Sequence, residues 1–484
     1  MKVKYYSLIA LFLISIQLNA QKVDKLKSTL ISKFSSGDFS SANISLSVID
    51  FSNGNEVIGH RSRKNLVPAS SLKLFTTLTS LNVLKPTFTF KTTIGYSGKI
   101  SNDGTLIGDI IVRGSGDPTL GSNRINNTPS YDEIFLQFSK AILNAGITCV
   151  NGNILIDASV FDNYPAAPSW QWNDLGNYYA SGAWGLNINE NLYYLAFDNN
   201  GKIGDTPRLR SISPAVNNLK FSNELKINGP NTGDQAYIFG GPNNFNKRVI
   251  GTIPQGNGDF SIKGSIPNPP LFFAEKLKSY LEELNIQVQS LEVKHEQTQS
   301  NIKTLSSVES PQVKEIIKKA NFDSQNLYAE SLLKIMGYVK KGQGCNQNGI
   351  AEIENQLKKY KINTSEYILY DGSGLSARNN ISSRAMSSFL FQFGKEMGME
   401  LATTYLPRGA YEGTVKHMFK SSAAKGKIWL KSGSMEGVQS YSGYIKSKDN
   451  NWYSFAFIVN GFTVKGRSMR AQMEKILTEI YLAL

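Results

Sequence analysis

Two stretches of regular patterning, one near each end of the chain, enclose a long middle of different texture. That arrangement limits the folds open to it. Near the start, 23–34 has amphipathic helical spacing, and Ile44, Leu46 and Val48 alternate with serines, as in a strand with one buried face. Ser52-Asn53-Gly54-Asn55 then turns the chain into Glu56-Val57-Ile58-Gly59, giving a hairpin. Pro68-Ala69 introduces a predicted helix over 70–81, with Leu74, Leu78 and Leu81 on one stripe. At the far end the order is strand, strand, strand, helix: 427–431, 440–446 and 452–460, then Met469, Met473, Ile476, Leu477, Ile480 and Leu484 on one helical face. Helices are expected over 313–319, 327–338, 350–359 and 382–396 as well. The two ends together read as one α/β domain.

The middle, 93–302, is rich in Gly, Asn, Asp and Pro. It carries short alternating strands at 107–112, 152–157, 192–197, 219–227 and 260–264, and a helix at 270–284. It reads as mainly β, one inserted domain or two nested ones. The α/β domain would then consist of 21–92 and 303–484. A chain of 484 residues exceeds what one hydrophobic core serves, which agrees with this division.

The totals narrow the function. With 40% hydrophobic and 19% charged residues, wholesale disorder is excluded. A net charge of +14 can draw in an anionic polymer or membrane, but scattered surface lysines on a soluble protein are the expected reading. Without a dense basic block and interleaved aromatics, nucleic acid is not an expected partner, whereas peripheral contact with membrane or cell wall stays open. Lys2 and Lys4, the apolar run 8–16 and Leu18-Asn19-Ala20 form an export signal over 1–20, with no cysteine after it for a lipid anchor. Cys149 and Cys345 are expected as unpaired, partly buried thiols in different domains. His60, His295 and His417 lack metal-ligand spacing, so neither metal nor cofactor is expected.

Three short motifs carry chemistry: Ser70-Ser71-Leu72-Lys73, Ser324-Gln325-Asn326 and Lys431-Ser432-Gly433. Serine needs a base to become a nucleophile. A lysine three residues on along a helix is within reach. It acts as a base only when burial or a second cation lowers its pKa, and Lys431 can be that cation. The spacing alone is not specific, because Ser300-Lys303, Ser331-Lys334 and Ser422-Lys425 share it, and Ser41-Asn43 and Ser80-Asn82 share the second motif. Ser70 is singled out by its place at a helix start, where backbone N–H groups can meet an oxyanion. A Ser-His-Asp triad lacks its Gly-x-Ser-x-Gly elbow. Tyr370-Asp371-Gly372-Ser373-Gly374 reads as a turn shaping a cleft, and Arg113-Gly114-Ser115-Gly116-Asp117-Pro118 as a structural turn rather than a nucleotide loop. The aromatic cluster Trp170, Trp172, Tyr178, Tyr179 and Trp184 is expected to pack, with stacking on sugars as the other reading.

As a set, these motifs resemble those of the low-molecular-mass class C penicillin-binding proteins, the S13 D-alanyl-D-alanine carboxypeptidase/endopeptidase family. The resemblance runs through Pro68-Ala69-Ser70-Ser71-Leu72-Lys73, Ser324-Gln325-Asn326-Leu327-Tyr328-Ala329-Glu330, Asp371-Gly372-Ser373-Gly374-Leu375-Ser376, Gly413-Thr414-Val415 and Lys431-Ser432-Gly433-Ser434-Met435, with Gly116-Asp117-Pro118-Thr119-Leu120 inside the insertion. It implies a penicillin-recognising transpeptidase/β-lactamase-like domain, an antiparallel sheet flanked by helices, built from both chain ends. It implies Ser70 as nucleophile, Lys73 as base and Ser324 as proton relay. Asn326, Lys431, Ser432, Gly433 and Ser434 would bind substrate, and the Ser70 and Ser434 N–H groups would form an oxyanion hole. The implied partners are peptidoglycan peptides and β-lactam antibiotics, in the periplasm. An esterase or β-lactamase-like hydrolase with the same machinery is the alternative. Two departures stand out: serines where the family usually has threonines at 432 and 434, and Gln325 where it often has Asp or Asn. Neither removes a required atom.

Overall fold

A computed structural model describes residues 21–298 and 301–484; the expected export signal lies outside them. The described chain divides into two compact units. The first comprises the residues up to Thr79 with Ala320–Ser324 and Ile353–Leu484, and the second Ser80–Lys319 with Gln325–Glu352.

The first unit is built on a five-stranded antiparallel sheet in the order Ile428–Met435, Val438–Lys446, Trp452–Asn460, Asn43–Asp50, Glu56–His60. The chain ends meet at its centre, where Asn43 pairs with Asn460 and Asp50 with Tyr453. One face carries Leu46, Val48, Tyr441 and Phe457 against Leu26, Leu30 and Phe34 of helix 21–34 and Met469, Met473 and Leu477 of the helix Gly466–Ala483. The strand at 43–50 does not have one wet face, as its alternation suggested. Ser45 and Ser47 are fully buried too. Their hydroxyls bond Ser383 and Ser387 of the helix Ser383–Met397, each at 2.7 Å. Short hydroxyl-to-hydroxyl bonds let serines sit in an interface where an unpaired polar group would be costly.

The predicted helix at 70–81 begins differently from expectation. Ala69–Leu72 is a 3-10 turn, and the α-helix runs from Lys73 to Leu84. The other predicted elements of this unit sit within a few residues of their observed bounds.

The second unit has a seven-stranded mixed sheet centred on Cys149–Asp157 and two three-stranded sheets. The expected strand 107–112 is two strands, Thr105–Ile107 and Ile110–Arg113, separated at Gly108. Gly108 has φ +149°, and a Cβ there would meet the Ser97 carbonyl oxygen at 2.0 Å, so only glycine lets the chain pass. The unit is less purely β than its composition suggests. Tyr131–Asn144 is a helix started by a reciprocal capping box between Ser130 and Glu133, and it packs on the helix Pro269–Glu283 through Phe135 and Phe273, ring centroids 4.7 Å apart. Cys149 and Cys345 are free and partly buried, as expected, but both belong to this unit.

Candidate active site

The first unit gathers Ser70, Lys73, Ser324 and the strand Ile428–Met435. In a 3-10 turn, side chains at i and i+3 eclipse. Ser70 lies in such a turn, and Lys73 follows it on the same side with its Nζ donating to Ser70 Oγ at 3.0 Å. The Lys73 side chain is fully buried while Ser70 is partly exposed, so the amine lies sealed beneath the hydroxyl it touches. Nζ also donates to the Ser373 carbonyl at 2.7 Å.

That carbonyl belongs to the loop read from sequence as a turn. Asp371, fully buried, holds the loop by accepting from the Gly374 and Ser376 N–H groups and from Asn379 Nδ2. The loop also accepts from Thr76 Oγ1 at the Gly372 carbonyl, 2.7 Å away. Gly374, at φ +78°, passes so close to the Ala69 carbonyl that a Cβ would lie 2.0 Å from it. Ala69 itself is at φ +46°, uncommon for a residue with a Cβ. The motif was legible, but its contact with Lys73 is made by a backbone oxygen, which leaves no mark in sequence.

Ser324 is the second outlier, at φ +59°. Its segment is fixed by Asn321, whose Nδ2 donates to Thr77 Oγ1 and to the Tyr405 carbonyl. Lys431 Nζ donates to Ser324 Oγ at 2.9 Å and to the Ser432 carbonyl at 2.6 Å. Burial, reinforced by the nearby Lys73, holds the Lys431 pKa well below the ordinary lysine value. Ser432 Oγ shares a 2.7 Å hydrogen bond with Thr414 Oγ1, a contact the sequence did not announce.

Gly433 explains itself by contact. A Cβ there would lie 2.6 Å from the Pro68 carbonyl oxygen and 2.8 Å from the Ser70 nitrogen. The strand thus runs flush against the turn carrying Ser70. Asn460 holds the approach to that turn, accepting from Val67 N–H and donating to the Val67 carbonyl. Pro407–Gly409 bonds the outer side of the strand Ile428–Met435 at Ile428 and Leu430. From Lys431 onward the strand is the edge of the five-stranded sheet, with Ser434 exposed.

Asn326 belongs to the second unit. It opens the helix Asn326–Lys341 and donates from Nδ2 to the Tyr179 carbonyl at 2.7 Å. The competing Ser-x-x-Lys matches do not form comparable pairs. Ser300 lies outside the described residues. Ser422 and Lys425 sit in a turn joined through backbone. Lys334 is bonded to Asp162 Oδ1 at 2.8 Å, and Ser331 Oγ does not bond back to its helix: it is buried with no hydrogen-bond partner among the described residues. The Arg113–Pro118 stretch is a structural turn. Gly116, at φ +75°, packs on Phe161, and the buried Asp117 accepts from Thr119 N–H and Oγ1, with burial raising its pKa to about 6. Among the described residues no cluster of His, Cys, Asp and Glu could hold a metal ion, and no helix is long and apolar enough to cross a membrane.

Comparison with known proteins gives the family and the fold. Residues 26–480 match the family model described as the D-Ala-D-Ala carboxypeptidase 3 (S13) family. The D-alanyl-D-alanine carboxypeptidase DacB of Haemophilus influenzae is 26% identical over 442 residues, 89% of this chain and 88% of that protein. Penicillin-sensitive carboxypeptidase A of Dictyostelium discoideum is 27% identical over 410 residues, 78% of this chain and 74% of its own. The crystal structure of penicillin binding protein 4 from Haemophilus influenzae superposes with a TM-score of 0.80 at 23% identity, covering 91% of this chain and 97% of that one, and so shares the fold. A structure of the same protein complexed with a β-lactam gives a TM-score of 0.74 at 22% identity, covering 91% and 95%. The chain belongs to the D-Ala-D-Ala carboxypeptidase 3 (S13) family of serine-type hydrolases, with a penicillin-recognising transpeptidase-type fold.

Proposed function

We propose that this enzyme is exported to the periplasm and cleaves D-alanyl bonds of peptidoglycan peptides, terminal or cross-linking, through an acyl-enzyme on Ser70. The observation that carries the reading is the pair of serine–lysine contacts within one unit, Lys73 to Ser70 and Lys431 to Ser324. Lys73, acting in its unprotonated form and positioned by the Ser373 carbonyl, takes the proton from Ser70 Oγ as that oxygen attacks the scissile carbonyl carbon. The backbone N–H groups of Ser70 and Ser434 receive the oxyanion, a role supported by the close pass of Gly433 over Ser70. The carbon–nitrogen bond then breaks, and Ser324 relays the proton to the departing amine. Water attacks the ester, returns a proton through Lys73 and frees Ser70.

Substrate lies along the open edge at Lys431–Met435, adding a short strand to the sheet. Lys431, Ser432 and Ser434 hold its terminal carboxylate. A carboxylate beside Lys431 favours the ammonium that burial otherwise disfavours, so binding brings a proton with it. Asn326, two residues after Ser324 in the chain, is assigned to the substrate amide by its motif. β-Lactams, carrying the same carbonyl and carboxylate, acylate Ser70; the relatives' penicillin sensitivity and β-lactam complex support this.

Fluorescent penicillin tests the reading. Covalent labelling of the wild type, absent in Ser70→Ala, with release of D-alanine from muropeptides, is the expected result. Equal labelling of Ser70→Ala, or rapid nitrocefin turnover without any muropeptide product, would overturn it.

A further inference from the structure

The aromatic cluster flagged in the sequence divides in two. Trp170 and Trp184 are buried and pack as expected. Trp172 and Tyr178 pack on one side only, Trp172 against Phe239 and Tyr178 against Tyr179, and remain 66% and 48% exposed. Tyr178 lines a groove of about 530 Å³ wholly within the second unit, between the turn at 177–179, the strand Gln235–Phe239 and the strand Asp259–Ser265. This volume lies in the range of ligand sites, roughly 300–1,000 Å³.

The lining is unusual for a surface crevice. Tyr237, in the groove, is 43% exposed, and Tyr194, beside it, is 39% exposed. Lys263 Nζ sits 5.8 Å from the Tyr178 ring centroid and 5.5 Å from that of Tyr194. Among the described residues it has no carboxylate partner. The ammonium is thus held between two rings with its donors unspent. Asp234, which lines the groove just before the strand Gln235–Phe239, accepts only the Ala236 N–H at 3.0 Å and pairs with no cation among the described residues. Exposed ring faces next to an unused donor and an unused acceptor form a surface suited to a ligand that has C–H faces and hydroxyl edges. A pyranose ring is such a ligand. Its axial C–H bonds meet the electron-rich face of a tyrosine, while its hydroxyls bond the flanking ammonium and carboxylate.

A peptide fits less well. Gln235–Phe239 is the edge strand of its sheet and would be the natural place for a peptide to add. Its outward amides are already used: Ile238 N–H donates to Asn177 Oδ1 at 3.0 Å and Ala236 N–H to Asp234. We propose that this groove is a glycan-binding site, taking consecutive pyranose rings of the polysaccharide to which the cleaved peptides are attached. The choice of polymer rests on the proposed function; the sugar chemistry rests on the groove itself.

The test uses the full chain and a peptide-free probe, the N-acetylglucosamine hexamer, with binding followed by calorimetry and saturation-transfer NMR. The expected result is saturable binding, weakened about tenfold or more by Tyr237→Ala and by Lys263→Ala. Tyr237→Phe, which keeps the ring, should retain it. Penicillin labelling of each variant, expected at the wild-type rate, reports that the fold and Ser70 are intact. No saturable binding by the wild type, or binding indifferent to both alanine variants, would overturn the glycan site. So would binding of a free stem peptide that Tyr237→Ala abolishes and the hexamer does not displace. A wild type that binds the hexamer yet fails to label with penicillin would instead count against the acyl-enzyme reading alone.

Discussion

Ser70-Lys73 and Ser331-Lys334 are the same four-residue pattern, and in both the lysine is fully buried. One makes a serine–lysine contact and the other does not. The first difference is local. Ser70 sits in the four-residue 3-10 turn Ala69–Leu72, which aligns the two side chains, whereas Ser331 is deep in an α-helix, where positions three apart are offset around the axis. The second difference is what surrounds the amines. Lys334 meets Asp162, and burial lowers its pKa while that carboxylate pulls it back up. Lys431, at the site, has Lys73 for a neighbour, which deepens the shift that burial starts. A buried lysine beside a carboxylate is a structural cation; two buried lysines near one another suit the acid–base role proposed for Lys73 and Lys431.

The comparison breaks or sharpens under substitution. The largest effect is expected from Lys73→Met, which should slow penicillin acylation by about 10³-fold or more while the protein stays folded. Lys334→Met should do the reverse, costing about 3 kcal/mol of stability because Asp162 is left with an unpaired charge, yet leaving the acylation rate of folded protein unchanged. A thermal melt and a labelling time course on both variants separate the two roles. Loss of labelling in folded Lys334→Met would end the distinction.

Gly433→Ala comes next. Its Cβ must displace the Pro68 carbonyl or the Ser70 amide, so acylation should fall by about 10²-fold with a stability loss of about 1–3 kcal/mol. Near-wild-type labelling would mean that the strand does not position the nucleophile.

The pH profile gives a subtler test. A depressed lysine pKa means that the Lys431 ammonium is present at low pH and disappears as pH rises through the lowered value, well short of 10.5. Affinity for a substrate carboxylate should decline over that window, so KM for a D-alanyl-D-alanine peptide should rise with pH. The same peptide with its terminal carboxylate amidated should lack this limb. A KM independent of pH up to the ordinary lysine range would contradict the shift. Smallest of all, Ser331→Ala removes a buried hydroxyl without a partner and should change stability by less than about 1 kcal/mol, in either direction, with labelling untouched.

Much of the first unit was legible because its strands and helices follow simple periods. The strand at 452–460 and the closing helix at 466–483 appear nearly where their patterns put them. What escaped was of three kinds. The helix Tyr131–Asn144 was hidden in a region whose Gly, Asn and Pro content spoke for loops, although Ser130 and Glu133 carried a capping signature. The second face of the strand Asn43–Asp50 was missed because serine usually marks solvent, and only the facing serines of another helix satisfy it. The Ser373 carbonyl was missed because a main-chain atom has no residue identity.

Residue type and local order by themselves determined which groups can do chemistry here: a serine at a helix start with a lysine three residues on, a second serine, and a second lysine beside a glycine. They also determined that the two chain ends carry the material of one α/β unit. Only the tertiary structure decided how Ser70 and Lys73 meet, what holds each amine, and that Asp371 and Thr414 hold the loop and strand around them. The reason is physical. Periodicity and capping act between residues a few positions apart, whereas burial and the approach of one amine to another depend on segments hundreds of residues apart in sequence, as in the pairing of Asn43–Asp50 with Trp452–Asn460.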